Sequence, residues 1–153
     1  MKVDSAVADE GFARIFIFED ENSLKLDFVN DVKFRSGNTI ETELFKRTDN
    51  LLNILSNKVT ALGRYSTKDV VDIVFICGII PFKWEQIFND ATEKDLWANP
   101  INAAEVLEQF PIQKTAEIYW IDKVPSDDWF LSRINSIIPD MLEGCGNSLY
   151  KKS

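Results

Sequence analysis

Hydrophobic and polar positions alternate in two short segments near the beginning of the chain. Residues 12–18 read FARIFIF and residues 24–29 read LKLDFV, with a polar cluster at 20–23 between them. Alternation with a period of two and an enrichment in aromatic and β-branched side chains are typical of strands. The pattern therefore predicts a β-hairpin, and the segment 39–45, which follows a Ser-Gly-Asn turn, predicts a third strand.

From residue 49 onward the apolar residues recur at helical spacing instead. Ser66 and Asp69 have the spacing of a capping box, and Pro81 is expected to end the helix that follows them. Residues 116–121 fit either a short strand or a helical turn. The predicted helices are 49–63, 66 to 77 or 78, 84 to 90 or 94, 101–109, and a last helix that is capped by Asp127 or Asp128 and runs to 142 with an interruption near Pro139.

Strands come first and helices follow, and this order predicts an α+β fold. A chain of 153 residues is of ordinary size for one domain. We therefore predict a single domain over residues 1–153. Residues 1–48 would form the strand-rich part, a β-hairpin or three-stranded sheet, and residues 49–153 would form the helical part.

Composition excludes several classes of function. The chain has 17 basic and 25 acidic side chains and a net charge of −8, which argues against a protein that coats nucleic acid through clustered cations. Histidine is absent, which excludes catalytic triads that depend on His and zinc sites that contain it. The longest apolar run, residues 73–82, is shorter than the stretch of about 20 residues that a membrane-spanning helix needs.

The two cysteines and the N-terminal segment bear on location. Cys77 lies in the apolar run and is expected to be a core thiol rather than a nucleophile, and Cys145 is far from it in sequence. Two isolated cysteines fit a reducing cytoplasm. The segment MKVDSAVADEG carries acids and no apolar stretch, so it does not have the pattern of a signal peptide. We therefore predict a cytoplasmic protein without membrane association.

A group of charged residues spans the first two predicted helices. Lys58 and Arg64 lie in or just after the first, and Lys68, Asp69 and Asp72 lie in the second. If the two helices form a hairpin, cations suited to phosphate oxygens meet, near the turn, a carboxylate that can accept a hydroxyl proton. The alternative is structural: Lys68 and Asp72 have the spacing of a surface ion pair, and Asp69 that of a capping-box acid.

Asp27 is the carboxylate within the strand pattern 24–29. Mg²⁺ prefers carboxylate oxygens and water as ligands, so Asp27 is a candidate metal ligand on the polar face of its strand. The alternative is an exposed strand residue without a ligand.

These segments carry a resemblance to a known family. Residues 24–31 (LKLDFVND) and 50–76 (NLLNILSNKVTALGRYSTKDVVDIVFI) resemble the nucleotidyltransferase-like toxins of the AbiEii family. In that family a strand of the form hydrophobic-x-hydrophobic-Asp-hydrophobic precedes a helix with Lys-hydrophobic-x-Ala-Leu, which residues 58–62 match. A segment with Arg and then Lys/Arg-Asp-x-x-Asp-hydrophobic comes next, which residues 64–73 match. The similarity covers residues 12–94.

The resemblance implies a polymerase-β-like nucleotidyltransferase core that uses Mg²⁺ to transfer a nucleotide from an NTP to tRNA or another RNA or to a protein. Members of the family often act as the toxin of a toxin–antitoxin or phage-defence pair, which implies an antitoxin protein as a partner. By position, the implied site consists of a metal-binding Asp27, phosphate-binding Lys58, Arg64 and Lys68, catalytic Asp69 and Lys58, and a supporting Asp72.

The chain departs from the family pattern near its beginning. The first motif of the family, a Gly-Ser turn followed by an Asp-x-Asp pair on a strand, has no counterpart before Phe12, where Asp4, Asp9 and Glu10 follow another pattern. Either a preceding segment is missing or a degenerate relative has lost the motif. In both cases we expect weak nucleotide binding and little turnover. The open edges of the predicted hairpin also predict self-association into a homo-oligomer.

A second hypothesis comes from a different class of function. The chain would then be a non-enzymatic module that binds a protein partner on a degenerate nucleotidyltransferase scaffold. Its apolar contact surface would be formed by aromatic residues, although such residues belong more often to a core. The aromatic residues concerned are Phe82, Trp84, Trp97, Trp120, Trp129 and Phe130.

Overall fold

The computed structural model describes residues 2–30 and 33–151, apart from the side chain of Ala6, and it has the predicted α+β class. The chain divides into two compact units, Met1–Lys33 and Phe34–Ser153. Each unit is described by itself, and a single domain over the whole chain stays a prediction. The elements are β1 (Lys2–Ala8), β2 (Phe12–Glu19), β3 (Asn22–Val29), α1 (Leu51–Ala61), α2 (Thr67–Ile79), α3 (Trp84–Thr92), α4 (Pro100–Glu108) and α5 (Asp127–Glu143), with 3₁₀ helices at Leu62–Arg64 and Ile112–Glu117.

The first unit is an antiparallel sheet with the strand order β1-β2-β3. The predicted hairpin is confirmed: β2 and β3 are joined by a two-residue turn, since Glu19 pairs with Asn22. Asp20 in this turn has a φ of 53°, a left-handed conformation that Asp tolerates better than most residues. The register that follows from this turn places Arg14 opposite Asp27.

The third strand is not where the pattern placed it. The segment 39–45 forms no strand, and only Ile40 pairs, in an isolated bridge with Thr48. The strand β1 takes its place and pairs with β2. Alternation alone does not make a strand, because a strand also needs a partner with free backbone groups. Leu44, which is 85% exposed, has no buried surface to pack against.

The second unit packs its helices around one apolar core. All five predicted helices are confirmed within a few residues. Pro139 lies inside α5 without ending it, and Ser126 rather than Asp127 or Asp128 is the N-cap residue. The 3₁₀ helix ends at Glu117, so residues 118–121 are irregular rather than a strand. The largest fully buried side chains are Trp84, Phe130, Leu55, Leu62, Ile73, Ile87, Leu107, Ile137 and Met141.

Helix α2 contributes Cys77 to this core. Its thiol is fully buried and free of any disulfide, as predicted for a core thiol. Burial raises its pKa well above the ordinary value for a thiol, so the reactive thiolate is disfavoured. The side chain of Asn147 holds the end of the helix by donating hydrogen bonds to the carbonyls of Cys77, at 2.7 Å, and Ile80, at 2.9 Å.

None of the helices in the described part of the chain combines the length and the apolar character that a membrane span requires.

Candidate phosphate-binding site

A helix–turn–helix places the charged residues that the sequence singled out. Asn50 caps α1, because its side chain accepts a hydrogen bond from the backbone N–H of Asn53. The 3₁₀ helix Leu62–Arg64 then tightens the last turn, and Tyr65 follows with a φ of 54°. Such a left-handed residue ends a helix and turns the chain. Helix α2 begins directly afterwards and packs against α1.

Lys58 of α1 bridges to two carboxylates of α2. Its Nζ lies 2.8 Å from Oδ1 of Asp69 and 2.7 Å from Oδ2 of Asp72. The Lys58 side chain is 28% exposed, that of Asp69 12% and that of Asp72 46%. An ammonium group has three N–H donors, and two of them are used here. The third is therefore available to an acceptor that reaches the site from solvent.

The environment of Lys58 keeps its ammonium charged. Partial burial on its own lowers the pKa of Lys58, but the hydrogen bonds that it donates to Asp69 and Asp72 outweigh this effect. The net result is a pKa above the ordinary lysine value. Lys58 is consequently a fixed positive charge at neutral pH, suited to binding an anion and unsuited to acting as a base.

Among the described residues, the structure has neither a side-chain capping bond from Ser66 nor an ion pair between Lys68 and Asp72. Ser66 is the N-cap residue of α2, but its side chain makes no capping hydrogen bond. Asp69 accepts from Lys58 instead, which is a charge-assisted bond and stronger than a bond to a neutral N–H. Asp72 also pairs with Lys58 rather than with Lys68. Both acids are thus directed at the same cation.

Arg64 and Lys68 flank the turn between the two helices. Both are exposed, and neither forms an ion pair or a side-chain hydrogen bond with a described residue. Lys58 with its two carboxylates carries a net charge of −1, and these two cations make the hairpin as a whole positive. An anion that approaches the turn therefore meets cations that have no other partner among the described residues.

Asp27, the predicted metal ligand, lies in the sheet unit and has another partner. Its Oδ1 accepts from Nε of Arg14 at 2.7 Å and its Oδ2 from Nη2 of Arg14 at 2.8 Å. The hydrogen bond from Arg14 lowers the pKa of Asp27. Lys25 adds a longer ion pair at 3.7 Å. Since the two residues are opposite each other in the register, the sheet itself forms this bidentate pair.

The donor set around Asp27 does not fit Mg²⁺. A metal ion there would have to displace the guanidinium of Arg14 from both carboxylate oxygens. Within residues 2–30 and 33–151, no group of three or more His, Cys, Asp or Glu side chains could hold a metal ion. Magnesium binding at Asp27 therefore stays a prediction from the resemblance alone.

Sequence patterns did not predict an apolar groove that borders the Lys58 cluster, which consists of Lys58, Asp69 and Asp72. The groove has a volume of about 790 Å³ and lies between α2, the beginning of α5 and the loop 118–126. Asp72 forms one edge, and Phe75, Trp120 and Trp129 supply aromatic walls. The Phe75 ring centroid lies 5.9 Å from that of Trp120 and 5.3 Å from that of Trp129. Sequence patterns could not place this groove, because it depends on the path of an irregular loop.

The six aromatic residues proposed as one contact surface do not share an environment. Trp84 and Phe130 are fully buried. Phe82 and Trp97 are half-buried and pack against the core. Only Trp120 and Trp129 line the groove.

A polar cluster around Lys94 was also missed. Its Nζ donates to Oδ1 of Asn53 at 3.0 Å, to Oγ of Ser56 at 2.6 Å and to Oδ1 of Asn57 at 2.5 Å. The signal was present in the sequence, because the three α1 residues have i, i+3 and i+4 spacing and form one polar face. Ser56 is fully buried, so the ammonium serves to satisfy groups that water does not reach.

Comparisons with known proteins add no family. No family model, no curated protein and no solved structure matches the chain. The functional argument therefore depends on the geometry of α1 and α2 and on the motif resemblance over residues 12–94.

Proposed function

We propose that this chain is a nucleotidyltransferase-like protein of the AbiEii toxin type that binds the triphosphate of an NTP at the Lys58 cluster. The observation that carries the proposal is the convergence of Lys58, Asp69 and Asp72, with 2.8 and 2.7 Å between the ammonium and the two carboxylates. The resemblance assigns these three residues to one site. The acceptor would be an RNA or a protein, the place of action the cytoplasm, and an antitoxin protein the natural partner.

Binding of the triphosphate would use donors that the described residues leave free. The third N–H of Lys58 can donate to a phosphate oxygen without breaking its bond to Asp69. Asp72 is the more exposed of the two acids, so its bond to Lys58 is the one that an incoming phosphate replaces more readily. Arg64 and Lys68 then add charge at the mouth of the site, where a guanidinium favours bidentate contacts to phosphate.

Asp69 has two functions in this proposal. It holds Lys58 in place in the resting protein, and it accepts a proton during transfer. In that step the acceptor oxygen bonds to the α-phosphorus of the NTP, pyrophosphate leaves, and the hydroxyl proton passes to the carboxylate. Magnesium, where bound, would neutralise phosphate charge. Because the chain shows no counterpart of the family's first motif before Phe12, we expect weak binding and little turnover.

Nucleotide-dependent stability tests the proposal. We expect at least one of ATP, GTP, CTP and UTP to raise the unfolding temperature, since a ligand present at 100 times its Kd contributes about 2.7 kcal/mol. Lys58→Gln should abolish the shift. The matched control is Lys114→Gln, which removes an exposed cation of the 3₁₀ helix Ile112–Glu117. The proposal fails if no NTP shifts the transition, with or without Mg²⁺, or if both variants respond like the wild type.

The second candidate function is a protein-binding module, and one observation favours it. Tyr119 and Ile121 beside the groove are 94% and 95% exposed, although both side chains are largely apolar. Exposed apolar patches commonly mark interaction sites. Under this alternative the NTPs have no effect on unfolding, and Ile121→Ser improves solubility or reduces self-association in sedimentation. Nucleotide stabilisation that Ile121→Ser retains and Lys58→Gln loses favours the first candidate.

A further inference from the structure

A second pocket shares Trp129 with the apolar groove, and its lining includes several polar side chains. It has a volume of about 550 Å³ and is bounded by α5, by Gly78 of α2 and by the segment that follows α5. Arg133 and Lys151 supply two cations to it, and no carboxylate of residues 2–30 or 33–151 lines it. The charged side chains that the described residues contribute are therefore both positive, although the chain has a net charge of −8. The hydroxyl groups that line it belong to Ser132, Ser136 and Ser148.

The Arg133 guanidinium is held in place by a ring and not by an acid. Its Cζ lies 4.2 Å from the centroid of the Trp129 ring, within the range of a cation–π contact. No described residue pairs with it or accepts a hydrogen bond from it. A cation–π contact does not occupy the N–H donors of the guanidinium in the way that a carboxylate would. Arg133 is thus positioned and charged, with its donors free among the described residues.

Gly78 provides the space that this position needs. A Cβ atom added at Gly78 would lie 3.1 Å from Nη1 of Arg133. A residue with a side chain at this position would require the guanidinium to move by a few tenths of an ångström.

Asp140 of α5 accepts hydrogen bonds from the segment that follows the helix. Oδ2 of Asp140 accepts from the backbone N–H of Ser148 at 2.7 Å, and its Oδ1 accepts from the Cys145 thiol at 3.5 Å. These bonds fix the segment that carries Ser148 toward the pocket. The Ser148 hydroxyl makes no bond with a described residue, whereas those of Ser132 and Ser136 bond to helix carbonyls and can rotate.

We propose that this pocket binds a phosphate monoester group, independently of the Lys58 cluster. Arg133 would contact two phosphate oxygens in the bidentate geometry that guanidinium groups favour. Lys151 would supply the second positive charge that a dianion calls for, and Ser148 a hydroxyl donor. A carboxylate would use only part of this donor set.

Calorimetric titration at constant ionic strength tests this site, with phenyl phosphate as the monoester probe and sodium chloride as the reference. We expect Arg133→Gln to weaken binding at least about tenfold, as for the loss of hydrogen bonds to a charged group. Lys151→Gln, which changes an exposed residue and keeps the core intact, should weaken it by a smaller factor. Lys114→Gln should leave the affinity unchanged.

The two glycines near this region give a matched pair of variants. Gly78→Ala should weaken binding less than Arg133→Gln does, because the guanidinium has to move by only a few tenths of an ångström. Gly146→Ala should not weaken it, because a Cβ there has no atom within 4 Å. The proposal is overturned if phenyl phosphate binds no better than chloride, or if Arg133→Gln and Lys151→Gln bind like the wild type. It is also overturned if Lys58→Gln, rather than Arg133→Gln, removes the binding.

Discussion

Replacement of Lys58 by Met removes the ion pairs between α1 and α2 and keeps most of the side-chain volume. The variant leaves the carboxylate of Asp69, which is 12% exposed, without its cation. Loss of a hydrogen bond to a charged group costs about 1.5–3 kcal/mol, and partial exposure moves the value toward the lower end. We therefore expect a loss of about 2 kcal/mol, or roughly 4–8 °C in Tm for a chain of this size.

The two acids should not be equivalent in the same assay, urea unfolding at pH 7. Asp69→Asn should cost about as much as Lys58→Met, because it removes the charge-assisted hydrogen bond at the less exposed of the two carboxylates. Asp72 is 46% exposed, so Asp72→Asn should cost less than about 1 kcal/mol. The double variant Lys58→Met with Asp69→Asn should lose less than the sum of the two single changes. The reasoning is refuted if Lys58→Met unfolds like the wild type, or if Asp72→Asn costs as much as Asp69→Asn.

The free energies of unfolding of wild type and Lys58→Met differ by an amount that depends on pH, and this dependence follows from the raised pKa of Lys58. A pKa above its ordinary value of 10.5 means that folding favours the protonated form. The contribution of Lys58 to the free energy of unfolding is complete at pH values below its pKa in the unfolded state. It is lost as the pH rises through its pKa in the folded state. The stability difference should therefore be constant from pH 7 to pH 9 and should shrink only at strongly alkaline pH.

Three further outcomes are expected. Asn147→Ala removes two hydrogen bonds that hold the end of α2 and should lower the free energy of unfolding by about 2 kcal/mol in urea; a change below about 0.5 kcal/mol would contradict this. In a Cys145→Ala background, Cys77 should react with a thiol reagent only as fast as the protein unfolds, because burial raises its pKa and blocks access; rapid labelling of the native protein would show the thiol to be accessible. Arg14→Gln should raise the lowered pKa of Asp27 toward 3.8 in an NMR titration, because it removes the hydrogen bond that lowers this pKa. The contribution of the pair to stability is present above the pKa of Asp27 in the unfolded state and is lost as the pH falls through its pKa in the folded state. An unchanged titration would argue against the pair.

The helices could be predicted because their signal is local. Apolar side chains at helical spacing over 51–143 identify each amphipathic face, and Asn99 and Ser126 are ordinary caps at the start of α4 and α5. The hairpin could be predicted for the same reason, since its two strands are adjacent in sequence. Both features depend on contacts between near neighbours along the chain.

The third strand shows where local patterns stop being sufficient. Residues 39–45 alternate as well as β1 does, but only β1 pairs with β2. The capping box failed for a related reason. Asp69 has the right spacing to Ser66, yet the ammonium of Lys58 on another helix is a stronger partner. A tertiary contact decided both cases.

In the candidate site, too, features between near neighbours in sequence could be predicted, and features that depend on distant contacts could not. Proximity of Lys58 to Asp69 and Asp72 could be expected once two adjacent helices formed a hairpin. The pairing of Asp27 with Arg14 depends on strand register, which a one-residue shift would have changed. The pocket at Arg133 joins α2 to α5 and the segment after α5, and because α2 lies far from these two in sequence, no local pattern indicates the pocket.

Direct titration of the four NTPs, with and without Mg²⁺, tests the central claim that the Lys58 cluster is a nucleotide site. The account predicts that at least one NTP binds, that Lys58→Gln weakens its binding at least about tenfold, and that Lys114→Gln does not. Circular dichroism at the assay temperature confirms that each variant is folded. Absence of binding by every NTP, or equal binding by folded Lys58→Gln, would contradict the account.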